Sequence, residues 1–92
     1  MRVRWLARAA EDLEHLYQHI AKDNPEAAAG EAGKVVEAVK RLGDCPASGR
    51  PGRVPGTREL VISRDIVAYR VKEKVVQILR ILHASRKWPE RL

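Results

Sequence analysis

The alternation of apolar and polar residues along the chain predicts one short strand followed by two helices. Val3 and Trp5 alternate with two arginines, which is the period of a strand with one buried face, and we expect Trp5 in the core. Over residues 6–20 the apolar side chains recur every three or four positions. This spacing places them along one stripe of a helix, so the segment is predicted to pack one face against the core.

A second helix is predicted to begin directly after the first. Asn24 can cap its amino end, Pro25 fits the first turn because its missing N–H is not needed there, and Glu26 complements the positive end of the helix. Apolar residues continue at helical spacing to Leu42. Gly43 is suited to end the helix, since glycine tolerates the left-handed conformation common at helix ends. The two segments together predict a helical hairpin.

The second half of the chain predicts a loop and then a meander of strands. Residues 43–56 contain four glycines and three prolines, which predicts a long loop with a binding or positioning role, or else disorder. Three runs rich in β-branched residues follow at 57–63, 66–71 and 75–82, and their short connections force antiparallel pairing. We therefore expect an α+β fold, β-α-α-β-β-β, with the helical hairpin packed on a four-stranded antiparallel sheet.

The alternation of side chains along the last two strands predicts which residues face the helices. Val76, Ile78 and Leu82 are expected on the face that packs against the helical hairpin. Because side chains alternate, Arg70 and Arg80 are expected to point away from Tyr69 and Leu79, unless a bulge intervenes. Several arginines from the second half of the chain are therefore predicted to gather on one side of the sheet.

The composition is typical of a folded protein and favours a polyanionic partner. With 92 residues, 45% of them apolar and 33% charged, the chain is expected to form one domain over residues 1–92. Residues 1–49 carry a net charge of −1 and residues 50–92 a net charge of +7, an asymmetry that favours nucleic acid or an acidic protein segment. No apolar run reaches the roughly 18 residues of a membrane helix, so a cytoplasmic protein without membrane contact is expected. The sole cysteine, Cys45, excludes an intramolecular disulfide.

Several short motifs follow one another in the order of the predicted elements. They are Trp5 with Ala9-Ala10 and Asp12-Leu13, Asn24-Pro25 with Ala27-Ala28, Gly49-Arg50, the segment 54–60, the segment 66–71, and Ile81-Leu82-His83-Ala84 with Arg86 and Trp88-Pro89. Over nearly the whole chain this succession resembles the RelE/ParE superfamily of bacterial toxins from type II toxin–antitoxin modules, and it is closer to the ParE-like members.

The resemblance implies a small cytoplasmic toxin that arrests bacterial growth and is held inactive by a cognate antitoxin, whose C-terminal segment wraps around it. Resemblance to the ParE-like members implies inhibition of DNA gyrase, whereas resemblance to the RelE-like members implies cleavage of mRNA on the ribosome. The fold alone does not choose between these targets. A third interpretation is a basic nucleic-acid-binding module without toxicity.

If the chain is a nuclease, three residues are candidates for metal-free RNA cleavage. Glu59 could accept the 2′-hydroxyl proton, His83 could protonate the leaving oxygen, and Arg70 could stabilise the negative charge of the transition state. In the nuclease members, the strand that corresponds to residues 65–69 has a sequence that resembles Tyr-Arg-Leu-Val-Tyr. Aligning its last tyrosine with Tyr69 places Ile66 where those members have a catalytic arginine, and this departure favours gyrase inhibition. Alternatively, Glu59 forms a surface ion pair and His83 a structural hydrogen bond.

Two further groups of residues are candidates for binding. Candidates for contact with the target or its phosphates are Arg58, Arg64, Arg70, Arg80, Arg86 and Trp88, although each arginine could simply solvate the sheet and Trp88 could pack under the tail. Candidates for contact with the antitoxin are the apolar residues on the stripe of the first helix, Leu13, Leu16, Tyr17 and Ile20. A partner segment could also fill an apolar groove and a free sheet edge.

The histidine spacing on the first helix is the remaining feature of chemical interest. His15 and His19 have the i, i+4 spacing of some zinc sites, but the sequence offers no evident third ligand. We therefore expect neither a metal nor a cofactor.

Overall fold

A computed structural model describes residues 1–83 of the chain. This part consists of β1 (Arg2–Trp5), α1 (Ala7–Ala21), α2 (Pro25–Leu42), β2 (Arg50–Pro51), β3 (Arg58–Ile62), β4 (Asp65–Lys72) and β5 (Val75–His83). The two helices and the four predicted strands lie within one or two residues of their predicted positions. The fifth strand, β2, lies inside the predicted loop and comprises only two residues.

The strands form one sheet in the order β1-β5-β4-β3-β2, with both helices on one face. The pairs from β2 to β5 are antiparallel, as their short connections require. β1 pairs parallel to β5, so the prediction of a fully antiparallel sheet is wrong for this strand. No turn joins β1 to β5, and the long connection between them permits either direction. The α+β class is confirmed.

The core lies between the helical hairpin and the inner face of the sheet, by which we mean the face toward the helices. Its largest fully buried side chain is Tyr69, and Val3 and Trp5 pack against its margin as predicted. The remaining buried members are Ala9, Val35, Val39, Leu42, Val67, Val76, Ile78 and Ile81. The apolar stripe of each helix and the alternation of each strand therefore meet in one cluster.

A β-bulge in β5 changes the predicted alternation of its side chains. Ala68 is opposite Arg80, but its neighbour Tyr69 is opposite Ile78, so Leu79 is an extra residue in the strand. As a result Ile81 takes the core position on the inner face. The prediction that Leu82 shares this face with Ile78 is wrong, because the extra residue inverts the alternation beyond it.

α2 begins with the predicted cap, but it does not end in the predicted left-handed conformation. The Asn24 side chain accepts a hydrogen bond of 3.1 Å from the Ala27 N–H, and Pro25 occupies the first position of the helix. Gly43 follows the last helical residue but has a right-handed φ of −62°, so the predicted left-handed end is wrong. Glycine suits the position because a Cβ there would lie 2.8 Å from the Met1 carbonyl oxygen. Over residues 1–83, neither helix has the length and apolar character of a membrane span.

Candidate functional site

The glycine- and proline-rich loop is fixed to the sheet by the hydroxyl of Tyr69. This buried hydroxyl donates to the Pro46 carbonyl oxygen at 2.7 Å and accepts from the Gly49 N–H at 2.9 Å. Arg58 Nη1 donates to the Gly49 carbonyl oxygen at 2.9 Å. A Cβ at Gly49 would lie 2.6 Å from the tyrosine hydroxyl, so the close approach requires glycine. The loop therefore has a defined path that presents β2 to the edge of β3.

Glu59 lies at the base of this loop, and its carboxylate is almost completely buried, with 2% of the residue exposed. Arg50 Nη2 donates to its Oε1 at 3.1 Å, and the Arg53 N–H donates to its Oε2 at 2.8 Å. The Arg53 guanidinium is also within ion-pair distance, at 3.7 Å. Two arginines and a backbone N–H thus compensate the buried negative charge. In this arrangement Glu59 orders the loop.

The predicted gathering of arginines on the open face is not formed by the four candidates that the structure describes. Arg58 is opposite Tyr69 and so belongs to the inner face, whereas Arg64 lies in the turn after β3. Arg80 is bound by both carboxylate oxygens of Asp12 on α1 and is mostly buried. By register Arg80 belongs to the open face, opposite Ala68, although Asp12 holds its guanidinium. Arg70 lies on the same face, opposite Gln77, to which its Nε donates at 2.6 Å. The two remaining candidates, Arg86 and Trp88, lie outside the described residues.

The three candidate catalytic residues do not share one face of the sheet. Glu59 is opposite Ala68, and Arg70 is two residues further along the same strand, so Glu59 and Arg70 share the open face. His83 is opposite Asp65, three residues from Ala68, and therefore belongs to the other face. The sheet separates the candidate base from the candidate acid.

His83 lies instead at a cavity of about 540 Å³ between α1 and the ends of β4 and β5. His15 and His19 line the same cavity, together with Asp12 and Asp65. The pKa of Asp65 is raised from 3.8 to about 6, first by burial and then by a hydrogen bond and charge repulsion from Glu31, while the charge of His83 opposes this shift. Within residues 1–83, no group of three or more His, Cys, Asp or Glu side chains has the arrangement of a metal site.

Comparison with known proteins identifies the family. A family model described as "ParE toxin of type II toxin-antitoxin system, parDE" matches residues 3–88. The chain belongs to this family of ParE toxins. A protein of Sinorhizobium fredii named "Putative toxin Y4kP" is 43% identical to this ParE-family chain over 91 residues, which is 97% of this chain and 94% of the relative.

Two solved structures resemble the ParE-family chain in fold. The chromosomal ParDE toxin–antitoxin system of P. aeruginosa matches with a TM-score of 0.82 and 37% identity, covering 92% of this chain and 97% of the other. The toxin–antitoxin complex RelBE2 of Mycobacterium tuberculosis matches with a TM-score of 0.65 and 28% identity, covering 89% and 95%. The chain is therefore a toxin of a type II toxin–antitoxin system, and its partner is a cognate antitoxin.

The predicted antitoxin stripe on α1 is only partly available at the surface of this ParE-family toxin. Leu13 and Leu16 pack against the core, whereas Tyr17 is exposed and Ile20 is half-buried. A second apolar surface lies between α2 and β3, where a groove of about 770 Å³ is lined by Gly33, Ala38, Leu60, Val61, Ile62 and their neighbours. Among the described strands, β2 pairs only with Arg58 and Glu59, so the rest of β3 has a free edge.

The sequence interpretation missed the acidic partners of this ParE-family fold. Asp12 fixes Arg80, and Asp65 is a buried acid beside Glu31. An aspartate on the apolar side of α1, three or four residues from Ala9 and Leu16, was the available signal for the first, because a polar residue on a buried stripe requires a partner. Asp65 has no comparable signal, since aspartate is common in the turns between strands.

Proposed function

We propose that this toxin arrests growth by inhibiting DNA gyrase and that its antitoxin neutralises it by direct binding. The observation that carries the proposal is the match to the ParE toxin family over residues 3–88. The sequence resemblance to ParE-like members implies gyrase as the target.

The arrangement of the candidate catalytic residues supports this choice over RNA cleavage. A general base must reach the proton that it removes, but the Glu59 carboxylate is buried and neutralised by arginines. The candidate acid His83 belongs to the opposite face of the sheet. Ile66, at the position of the arginine in the nuclease members, is itself a buried apolar residue.

Ribosome-dependent mRNA cleavage is the second candidate function. The match to the RelBE2 complex, at 28% identity over 89% of this chain, is the observation in its favour. A nuclease of this kind would depend on Glu59, His83 or Arg70 directly.

Two assays on the purified toxin distinguish the targets. In the first, gyrase supercoils relaxed plasmid DNA with increasing toxin, and we expect supercoiling to stop. In the second, a translation reaction receives the same toxin and the mRNA ends are mapped, and we expect no new breaks. Unchanged supercoiling together with mRNA breaks inside translated codons would overturn the proposal in favour of the nuclease.

A variant pair sharpens this comparison. We expect His83→Gln to fold and to inhibit gyrase as the parent does, whereas a nuclease would lose about 100-fold or more of its activity with its acid catalyst. His15→Gln, on α1 beside the same cavity, is the matched control because it removes a histidine with no assigned catalytic role. Loss of toxicity in His83→Gln alone, with unchanged folding, contradicts gyrase inhibition.

The groove beside β3 is the surface that we assign to the antitoxin. A partner segment in extended conformation can pair with the free edge of β3 while its apolar side chains fill the groove. Val61, at the centre of this edge, is 51% exposed, so its side chain is accessible to a partner. The groove is mainly apolar, and Lys34 and Arg41 at its border can pair with acidic residues of the antitoxin.

Binding of the antitoxin to toxin variants tests this assignment. We expect Val61→Glu to weaken binding more than tenfold in calorimetry, because the charge would lie on the β3 edge with which the antitoxin segment pairs. Val71→Glu is the matched control, since Val71 is also an exposed strand valine, at 44%, and lies outside the groove. If Tyr17→Glu abolishes binding while Val61→Glu does not, the antitoxin binds the stripe of α1 instead.

A further inference from the structure

Four basic residues form a compact group on the open face of the sheet, at the end where β1 begins. Arg2 and Arg4 project from β1 on the side opposite to Val3 and Trp5, which pack against the core. In the register of the sheet, Arg2 shares a row with Val75 and Lys72, and Arg4 shares a row with Gln77 and Arg70. We call Arg2, Arg4, Arg70 and Lys72 the basic patch.

The strand geometry sets the spacing of the basic patch. Each row crosses from β1 over β5 to β4, so its two cations are two strand spacings apart, or about 10 Å. The rows are two residues apart along the strands, which is about 7 Å. The patch is therefore a two-dimensional grid, and it is built from residues distant in sequence.

The cations of the basic patch are available to a ligand. Arg2, Arg4 and Lys72 are exposed and take part in none of the salt bridges found within residues 1–83. Arg70 is half-buried, and the hydrogen bond from its Nε to Gln77 holds the guanidinium in place. The acidic residue next in sequence to the patch is Glu73, in the turn between β4 and β5.

We infer that the basic patch binds the phosphate backbone of duplex DNA. Exposed arginines and lysines without paired carboxylates are the groups that neutralise phosphates, and they act without regard to sequence. A grid with two cations in each direction matches a duplex, which presents two backbones to one surface, better than a single extended strand. The inference uses the proposed function only in choosing DNA, because gyrase acts on the duplex.

Salt-dependent binding of the toxin alone to a fluorescent 24-base-pair duplex tests the inference. Each phosphate contact adds about 0.9 to the slope of log affinity against log salt concentration. We expect the triple variant Arg2→Gln/Arg4→Gln/Lys72→Gln to lower the magnitude of that slope by about 3. The matched control, Arg8→Gln/Lys22→Gln/Lys40→Gln, removes the same charge from exposed positions outside both the patch and the groove beside β3, and it should keep the slope. Circular dichroism of both variants verifies folding.

The outcomes separate this inference from the proposed function. Equal slopes for parent and patch variant overturn the inference, and so does a patch variant that keeps its duplex affinity but loses affinity for the antitoxin. Preference for single-stranded RNA of the same length over the duplex also overturns it. Gyrase inhibition is measured in parallel. A toxin that binds the duplex through the patch but leaves supercoiling intact supports the inference and contradicts gyrase as the target.

Discussion

The carboxylate of Asp12 on α1 receives two hydrogen bonds from the guanidinium of Arg80 on β5, from Nε at 2.7 Å and from Nη2 at 3.1 Å. The same carboxylate accepts the Ile81 N–H at 3.0 Å. β1 pairs with β5 only as far as Ile78, so Asp12 satisfies a strand N–H at the point where the sheet would otherwise have a free edge. The pKa of Arg80 is raised, mainly because its guanidinium is hydrogen-bonded to Asp12.

Removal of the Asp12 carboxylate should destabilise the protein strongly. Both side chains of the pair are only 11% exposed, so Asp12→Ala would leave a mostly buried guanidinium and the Ile81 N–H without partners. We expect the free energy of unfolding in urea to fall by about 3 kcal/mol.

A solvent-exposed pair provides the control for Asp12. Lys40 and Glu37 form an ion pair with both side chains about 70% exposed, so Glu37→Ala should change stability by less than about 0.5 kcal/mol. Asp12→Ala/Arg80→Met should recover part of the loss, because it removes the unpaired charge. Equal stability of Asp12→Ala and the parent would show that the pair contributes no net stability.

The hydroxyl of Tyr69 should account for much of the order of the loop. Tyr69→Phe removes the donor to Pro46 and the acceptor for Gly49, leaving a buried N–H and a partly buried carbonyl without their partner. We expect a loss of about 1 to 3 kcal/mol in urea unfolding and faster hydrogen exchange at Gly49. Tyr17→Phe, on the exposed side of α1, should change neither quantity, and unchanged exchange in Tyr69→Phe would contradict the assigned role.

The turn between β4 and β5 should be open to stabilisation. Glu73 and Lys74 both have positive φ, at 52° and 63°, which is the backbone of a two-residue hairpin turn that favours Asn-Gly. Glu73→Asn/Lys74→Gly should therefore raise the free energy of unfolding by about 1 kcal/mol. Gly56→Ala is the opposite control, since Gly56 has a φ of 82°, and it should be destabilising. If the Asn-Gly variant is less stable than the parent, the turn in the parent is not strained.

The fold was largely predictable from the sequence because the periodicity of apolar residues is a local property. The three- and four-residue spacing of α1 and the Asn24-Pro25 cap place the helices, and the alternation of Val3 with Trp5 places β1. The alternation did not locate the bulge at Leu79, since Ile78 and Leu79 are adjacent apolar residues and either could occupy the core position. One extra residue there was enough to exchange the roles of Ile81 and Leu82.

The candidate site was less predictable because its charges are arranged by pairings over long distances along the chain. Arg80 and Asp12 are 68 residues apart, and the sequence gives no reason to join them. The basic patch combines Arg2 and Arg4 with Arg70 and Lys72, and it depends on the parallel pairing of β1 with β5, which was predicted incorrectly. Net charge in one half of the chain indicates a basic surface but does not locate it.

Asp65 gives the stability of the protein a dependence on pH. Its carboxyl is buried, next to Glu31 on α2, and its pKa is raised from 3.8 to about 6. Between pH 3.8 and pH 6, the folded state therefore keeps a proton that the unfolded state has already lost. The stabilisation is fully present below about pH 3.8 and disappears as the pH rises through 6.

This contribution should be visible in the variant Asp65→Asn. A shift of about two pKa units corresponds to about 3 kcal/mol, so we expect the variant to be about 2 kcal/mol more stable than the parent at pH 7.5 and little different at pH 4. Urea unfolding at both pH values measures this difference. Glu31→Gln should act in the same direction with a smaller effect, because it removes the repulsion but leaves Asp65 buried. A parent and an Asp65→Asn variant with parallel pH profiles would show that Asp65 titrates normally in the folded protein.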